Sequence, residues 1–438
     1  MPRITNRLPS PTRDAQPTPA VAPETTTAAP ATPAPSQGNR DMVDPNGPLA
    51  EMSPAVPRGA DAPRVSSSGP GVLRHTLEAR MSGPESAPAA EVTALLAQYG
   101  ITERLGRPRE RVVSWVAKVQ EGFEAAAAGA VEPSAIADQL LANDVRLQVF
   151  YLEGILKLYR KRYPGTAEVQ YQQVKALEDA LGQASGARSV LKMAERHDGV
   201  PAEAMEWLRS EVKRNDAQLS SLIQEKWMPN GEGQLPALGD VLQFLQETPW
   251  DEYSADRAYL QKELSRRLKK FSKIDFDMNI LQGDTGVHEL RRQLRWLPIY
   301  AVALDGMIAL DGERNPVPEY QPLLQNRDLV ESKYAKLPPS DRESDPILFS
   351  HSLYLRNSQL IGELGGLKDE GEEIEGIAFA LEGAHLVHGE AEAMNQAKEI
   401  LGVSPDAADH VFKRSGEIFG EMTRVDFIKA MRSEIKEQ

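Results

Sequence analysis

Apolar residues beyond residue 91 recur at the three- and four-residue spacing of an amphipathic helix. One such stripe consists of Val112, Trp115, Val116, Val119 and Phe123. No run shows sustained alternation of apolar and polar residues with β-branched enrichment, so the pattern predicts no sheet. The sequence therefore predicts an all-α protein, a helical bundle that could consist of two related multi-helix halves.

The same periodicity gives approximate helix positions. The run from Ile136 to Tyr163 contains no helix breaker except Gly154, and Pro133 followed by Ser134 fits a helix start. Further helices are expected at roughly 167–196, 202–227, 236–247, 254–274, 285–310, 346–364, 370–401, 406–420 and 424–437.

Residues 1–90 differ sharply in composition from the rest. They hold 17 of the 32 prolines and no Phe, Trp or Tyr. Such a segment cannot bury enough apolar area to offset the entropy of ordering it, so we predict a disordered Pro/Ala/Thr/Ser-rich tail. Its eight Arg and eight acidic residues cancel, which leaves the whole net charge of −14 on residues 91–438.

Several classes of function are disfavoured by composition. The chain has no Cys, which excludes disulfides, a thiol nucleophile and Cys-ligated metals. It lacks an apolar stretch of 18 residues, so no membrane insertion is expected. The acidic balance argues against specific DNA binding, and the N-terminus has no apolar signal region, which suggests a cytoplasmic protein. Phosphate-loop, dinucleotide-binding and nucleophile-elbow motifs are missing, so we expect neither catalysis nor a cofactor.

The strongest local cluster is a basic helix face. His288, Arg291 and Arg295 lie at positions i, i+3 and i+7, with Arg292 beside them. Guanidinium groups bind phosphate oxygens in a bidentate manner, so such a face suits a polyanion. Alternatively, these arginines pair with acids of neighbouring helices and have a structural role.

Two further basic groups accompany this face. Arg266, Lys269, Lys270 and Lys273 fall on one face of the preceding helix. A third group at the end of an earlier helix contains Lys157, Arg160 and Lys161. Cations near a helix C-terminus also complement the helix dipole, so this third group has a sufficient structural explanation.

The segment V-H-E-L-R-R-Q-L-R-W-L (287–297) resembles the signature helix of the CHAD family, the conserved histidine α-helical domain. The family's pattern is a His, an Arg three residues on, and further basic residues at helical spacing. His288, Arg291 and Arg295 match this pattern. The later segment E-L-G-G-L-K-D (363–369) is similar to the Leu-Gly-x-x-x-Asp ending of the family's next helix.

The resemblance covers roughly residues 135–370. In its first half Arg146 matches, whereas Asn143 stands at the His position. It implies a two-repeat all-helical bundle whose basic central face binds inorganic polyphosphate. We accordingly expect a tail (1–90), N-terminal helices packing on the bundle (91–134), the CHAD-like bundle (135–370) and C-terminal helices (371–438).

Together, the basic faces and the resemblance predict non-catalytic binding of inorganic polyphosphate or another polyanion. The anion-binding residues would be Arg266, Lys269, Lys270, Lys273, His288, Arg291, Arg292 and Arg295. A possible secondary group would be Arg146, Lys157, Arg160 and Lys161.

Two alternatives come from other functional classes. The first is an all-α adaptor or regulator that binds a protein partner, such as a type III secretion gatekeeper-like protein, in which the arginines are structural. The second is a metal-dependent enzyme built around His385 and His388, with Glu382 one turn before them. The second needs further ligands that the sequence does not show, so we expect no metal there.

Overall fold

The computed structural model describes residues 90–438 apart from 102–104, 232, 282–284, 312–316, 341–344, 405–406 and 437–438. Helices dominate this part of the chain, which confirms the all-α class. The tail predicted for residues 1–90 lies outside the described residues, except for residue 90 itself. None of the described helices is long and apolar enough to cross a membrane.

Helices follow one another without a strand through the first part of the described chain. They are α1 (Ala90–Gln98), α2 (Arg107–Ala127), α3 (Pro133–Ala142), α4 (Val145–Tyr159), α5 (Ala167–Ala194), α6 (Ala202–Leu222), α7 (Pro236–Glu247) and α8 (Tyr253–Phe271). One π-helical turn, Ile223–Trp227, continues α6.

Short strands and further helices make up the rest. They are α9 (Val287–Ala303), β1 (Ile308–Asp311), a 3-10 helix (Pro318–Gln325), α10 (Arg327–Val330), β2 (Ile347–Ser350), α11 (His351–Gly383), α12 (Glu390–Leu401), α13 (Ala407–Arg424) and α14 (Phe427–Lys436).

The single helix predicted through Ile136–Tyr163 is wrong. The chain forms α3, which begins at Pro133 as predicted, and a separate helix α4. Between them Asp144 adopts a left-handed backbone conformation with φ of 52°. Asp tolerates this conformation better than most residues, because its short polar side chain can hydrogen-bond locally.

The expectation of no sheet is also wrong, on a small scale. Strands β1 and β2 pair in parallel, in a register that sets Ile308 opposite Ile347. Four residues per strand carry too few alternations to stand out in a sequence pattern. The backbone amide of Ser350 at the end of β2 donates to Glu434, which ties α14 to this sheet.

Helix α11 joins the helix expected at 346–364 to the first part of the one expected at 370–401, and α12 forms the rest. Helix α11 runs for 33 residues and crosses residue 370, where a domain boundary was expected. Its six glycines lower helix propensity, but four of them lie against other parts of the chain. A Cβ at Gly365 would meet Arg291, and one at Gly371 would meet Leu281. Tertiary packing explains why the helix continues through them.

The apolar side chains form a main core and a smaller second cluster. The second cluster is formed where α5, α6, α11 and α12 meet. In the main core, α4 packs against both α5 and α9. Gly154 lies at the crossing of α4 and α9, where an added Cβ would stand 3.1 Å from Cγ2 of Ile299. This close approach brings the end of α4 beside the basic helices α8 and α9.

Candidate anion-binding cavity

A cavity of about 510 Å³ opens where α4, α5, α8, α9 and α14 meet. Eight cationic side chains and four carboxylates line it. The cations are Lys157, Arg160, Lys161, Lys175, Arg266, Arg267, Lys270 and Arg292. The carboxylates are Glu153, Glu178, Asp179 and Glu289. The cations outnumber the carboxylates two to one, in a protein whose net charge is −14.

Arg267 of α8 is held in place from three sides. Its guanidinium donates to the Tyr300 hydroxyl at 2.8 Å and to the backbone carbonyl of Lys157 at 2.5 Å. Its Nε lies 2.9 Å from Oε1 of Glu263. These contacts link α8 to both α4 and α9, so the guanidinium is already oriented before a ligand binds.

Two other arginines of the cavity wall pair with acids on their own helices. Arg266 pairs with Glu263, and the Nη2 of Arg292 lies 2.5 Å from Oε2 of Glu289. Both pairs have the i, i+3 spacing of neighbours on a helix surface. Each arginine side chain is still 38% exposed, and a guanidinium has five N–H donors. A carboxylate on one edge therefore does not prevent an anion from binding the other.

Exposed lysines lie on the solvent side of the cavity. Lys161 follows the end of α4, and Lys270 lies in the last turn of α8. Within the described part of the chain, neither side chain has a carboxylate within 4 Å. Their charges are thus available to attract an anion from solution.

Aromatic rings form an apolar side of the cavity. Trp296 lies between Phe150 and Tyr300, with ring centroids 5.1 and 5.2 Å away. The Nζ of Lys157 lies 3.3 Å from the centroid of the Trp296 ring and 3.8 Å from Oε1 of Glu153. Cation–π contacts of this kind are worth roughly 2 kcal/mol when desolvated, while the amine carries its proton. The amine is therefore fixed between a ring and a carboxyl group.

Burial shifts the pKa values of three groups in this wall. It lowers the pKa of Lys157 to about 7, with Glu153 opposing and Arg267 adding to the shift. It raises the pKa of Glu153, and it raises that of Glu178 to about 8 although Arg146 favours the charged form. The Glu178 carboxyl therefore keeps its proton near neutral pH, which reduces the negative charge facing the cavity.

The structure brings six of the predicted site residues together. Arg266, Lys270 and Arg292 line the cavity with three members of the predicted secondary group, Lys157, Arg160 and Lys161. Lys269 and Lys273 are exposed and do not line it. The fourth secondary residue, Arg146, donates from Nε to Glu178 at 3.0 Å and lies outside the lining.

The other predicted residues of α9 are buried on a different side. His288, Arg291 and Arg295 do share a region of the helix, but none of them lines the cavity. Arg291 lies against Gly365 of α11, and the Arg295 guanidinium lies 5.7 Å from the centroid of the Phe150 ring. Helix α9 is buried nearly all round, so both its predicted basic face and the opposite apolar face lie inside the protein.

Sequence reasoning missed three features of the cavity. Arg267 of α8 lines it but was not among the predicted anion-binding residues. Lys175 of α5 lines it and pairs with Asp179, four residues on. The aromatic side formed by Trp296 and Tyr300 was also missed. The signal for Lys175 was its i, i+4 charge pair, but such pairs are common on exposed helix surfaces and do not indicate a site.

The arrangement expected for a metal around His385 and His388 is not present. Helix α11 ends at Gly383, and His385 has a left-handed conformation with φ of 57°. Glu382 and His385 therefore do not share one helix face. In the part of the chain that the structure describes, no group of three or more potential ligands could hold a metal ion.

Comparison with known proteins gives no relative. No protein-family model matches the chain, and neither a curated protein nor a solved structure matches it.

Proposed function

We propose that this protein binds inorganic polyphosphate or another polyanion in the cavity between α4, α5, α8, α9 and α14, without catalysing its conversion. The observation that carries the proposal is that basic side chains from four separate stretches of sequence line one cavity. The resemblance of α9 to the CHAD signature helix supports the same class of ligand. In this proposal the protein is cytoplasmic, which cell fractionation would test.

Charge and geometry support a phosphate ligand. Arg266, Arg267 and Arg292 supply planar guanidiniums, which match the spacing of phosphate oxygens. Arg267 is oriented by Tyr300 and the Lys157 carbonyl, so less conformational entropy is lost when it binds an anion. Exposed Lys161 and Lys270 would add attraction at longer range.

Binding should depend steeply on salt. Each Lys or Arg that contacts a polyanion displaces condensed counterions, and for DNA each neutralised phosphate adds about −0.9 to the slope of log affinity against log salt. With about four to six such contacts, affinity should fall by roughly two orders of magnitude between about 50 and 200 mM salt. Titration calorimetry with polyphosphate of defined chain length would measure this slope.

A double variant with a matched control tests the location. Arg266→Gln with Arg292→Gln removes two cavity charges that pair at i, i+3 with acids of their own helix. Arg327→Gln with Arg414→Gln removes two charges that also pair locally, with Glu331 and Glu417, but lie outside the cavity. We expect the first variant to weaken binding by about tenfold or more and to lower the salt slope, because charge-assisted hydrogen bonds are lost.

The control variant should bind as the wild type does, within about twofold, because only long-range charge is lost. An equal loss in both variants would show that binding follows net charge alone. Absence of any binding by the wild type at low salt would end the proposal.

One observation favours an adaptor as a second candidate. The local pairs Arg266–Glu263 and Arg292–Glu289 give two cavity arginines a structural role that needs no ligand. If the protein is an adaptor, the cavity variant should lose thermal stability while polyphosphate binding is absent from the wild type as well. The same two measurements therefore separate the candidates.

A further inference from the structure

We propose that Lys157 is a nucleophile and that the cavity accepts a phosphorylated aldehyde or ketone, which Lys157 binds covalently as an imine. This inference rests on the proposed function, because the cations that would bind polyphosphate would also hold the phosphate group of this ligand. It adds a reaction that simple anion binding does not include.

The position of Lys157 makes its amine both fixed and reachable. The residue lies in the last turn of α4, and its side chain is 18% exposed and lines the cavity. Its Nζ is held 3.3 Å from the centroid of the Trp296 ring and 3.8 Å from Oε1 of Glu153. A carbonyl group that enters the cavity can therefore meet the amine while the lysine chain stays in place.

The surroundings also favour the neutral form of the amine. Burial, with the nearby guanidiniums of Arg267 and Arg292, lowers the pKa of Lys157 to about 7. Lys175 contributes in the same direction, whereas Glu153 opposes. The neutral amine is the nucleophilic form, so at neutral pH a substantial fraction of Lys157 can attack a carbonyl carbon.

Cations on both sides of Lys157 would hold a phosphate. Arg292 of α9 and Lys175 of α5 are close enough to affect its ionisation, and Arg160 follows it by one turn. A ligand whose phosphate lies among these groups would have its carbonyl near Nζ. The cavity would thus hold the carbonyl group beside the amine. The reaction between them becomes effectively intramolecular, which greatly increases its rate.

Glu153 supplies the proton that imine formation needs. Burial raises the pKa of its carboxyl, which favours the protonated form that can donate to the reacting carbonyl oxygen. The amine nitrogen adds to the carbonyl carbon and the carbon–oxygen bond breaks. Of the two amine protons and the proton from Glu153, two leave with the carbonyl oxygen as water. The third remains on the iminium nitrogen, whose positive charge pairs with the Glu153 carboxylate.

Trapping with pyridoxal 5′-phosphate and borohydride tests this inference in the full-length protein. Borohydride reduces the imine to a stable amine, and peptide mass mapping then identifies the labelled lysine. We expect Lys157 to be labelled at least tenfold faster than any other lysine, with a rate that rises through about pH 7. Pyridoxal, which has no phosphate, should label Lys157 at least tenfold more slowly.

The chain offers a matched control lysine. Lys118 lies 3.7 Å from the centroid of the Trp115 ring, in the same kind of contact, but it does not line the cavity. Lys157→Met should abolish the fast phase of labelling, whereas Lys118→Met should leave it unchanged. The comparison of the two lysines in the wild type needs no variant, so it stands even if Lys157→Met does not fold.

The outcomes separate this inference from the proposed function. Labelling of Lys157 no faster than that of Lys118 would overturn the inference, while polyphosphate titration of the same sample still tests anion binding. If pyridoxal labels Lys157 as fast as pyridoxal 5′-phosphate does, the cavity does not recognise the phosphate group, and the inferred preference for a phosphorylated ligand is wrong. Protection of Lys157 by added polyphosphate would support both proposals at once.

Discussion

The guanidinium of Arg111 donates to Oδ2 of Asp256 at 2.9 Å in the interior, where the two side chains are 0% and 1% exposed. The Tyr159 hydroxyl donates to the other carboxylate oxygen, also at 2.9 Å. The ion pair thus joins α2 to α8, and the hydrogen bond from Tyr159 adds α4. The Asp256 carboxylate has a donor on each oxygen, which satisfies the requirement for a buried charge.

Replacing Arg111 by Met should destabilise the protein by about 3–5 kcal/mol at pH 7, because Asp256 would be left as a buried charge with one donor. Burial already raises the pKa of Asp256 and Arg111 opposes that shift. The loss should therefore shrink as pH falls and Asp256 takes up a proton. Chemical denaturation at several pH values measures this. Arg327→Met, at an exposed pair, should cost less than about 0.5 kcal/mol.

Glu178→Gln should change how stability depends on pH. The folded-state pKa of Glu178 is raised to about 8 from an ordinary 4.5. Between these values the unfolded chain has lost the proton and the folded protein keeps it, so wild-type stability falls as pH rises. The variant lacks this slope, so its stability relative to the wild type should rise by on the order of 1–3 kcal/mol from about pH 5 to 8.

Denaturation curves of the two proteins across this pH range would measure the effect. Glu203→Gln, at an exposed position of α6, should leave the slope unchanged. A difference between wild type and Glu178→Gln that is independent of pH would contradict the raised pKa.

Two glycines of α11 should respond in opposite directions to Ala. Gly366 has nothing within 4 Å of an added Cβ, so Gly366→Ala should stabilise the protein by roughly 0.5–1 kcal/mol through helix propensity. At Gly371 an added Cβ would clash with Leu281, and Gly371→Ala should destabilise by about 1–3 kcal/mol. Thermal denaturation of the pair tests the packing of α11. Equal effects would mean that Leu281 moves aside freely.

Arg291 and Arg295 should matter for stability and not for polyanion affinity. Both are buried and neither lines the cavity. Changing both to Gln should lower the free energy of unfolding by about 2 kcal/mol or more, because interactions of buried charged groups are lost. Polyphosphate affinity of the folded variant should stay within about twofold. A tenfold loss of affinity without loss of stability would move the binding site to this buried side of α9.

Helical periodicity was enough to predict the all-α class and most helix positions. It did not reveal the break at Asp144, because a single residue in a left-handed conformation leaves the apolar spacing on both sides intact. It also did not reveal that α11 is continuous. Its glycines are helix breakers by propensity, and contacts with other segments, such as those of Gly365 and Gly371, explain why most of them are tolerated.

The sequence predicted the basic groups of the candidate site, but not which side of α9 faces the cavity. Charge pattern located basic groups on α8, α9 and the end of α4, and residues from all three line the cavity. Spacing along α9 favoured Arg291 and Arg295 over Arg292, yet Arg292 is the one that lines it. A helix that is buried all round gives no polarity signal for which side faces a ligand.

Helix α14 forms the last wall of the cavity, through Met431 and Ile435. Gln261 of α8 donates to the backbone carbonyl of Ile435 at 2.6 Å across 174 positions of sequence. During translation, α4, α8 and α9 therefore leave the ribosome well before the segment that encloses them. Until α14 docks, the cavity lacks the wall formed by Met431 and Ile435, so the pocket takes its final form only after the last helix has been synthesised.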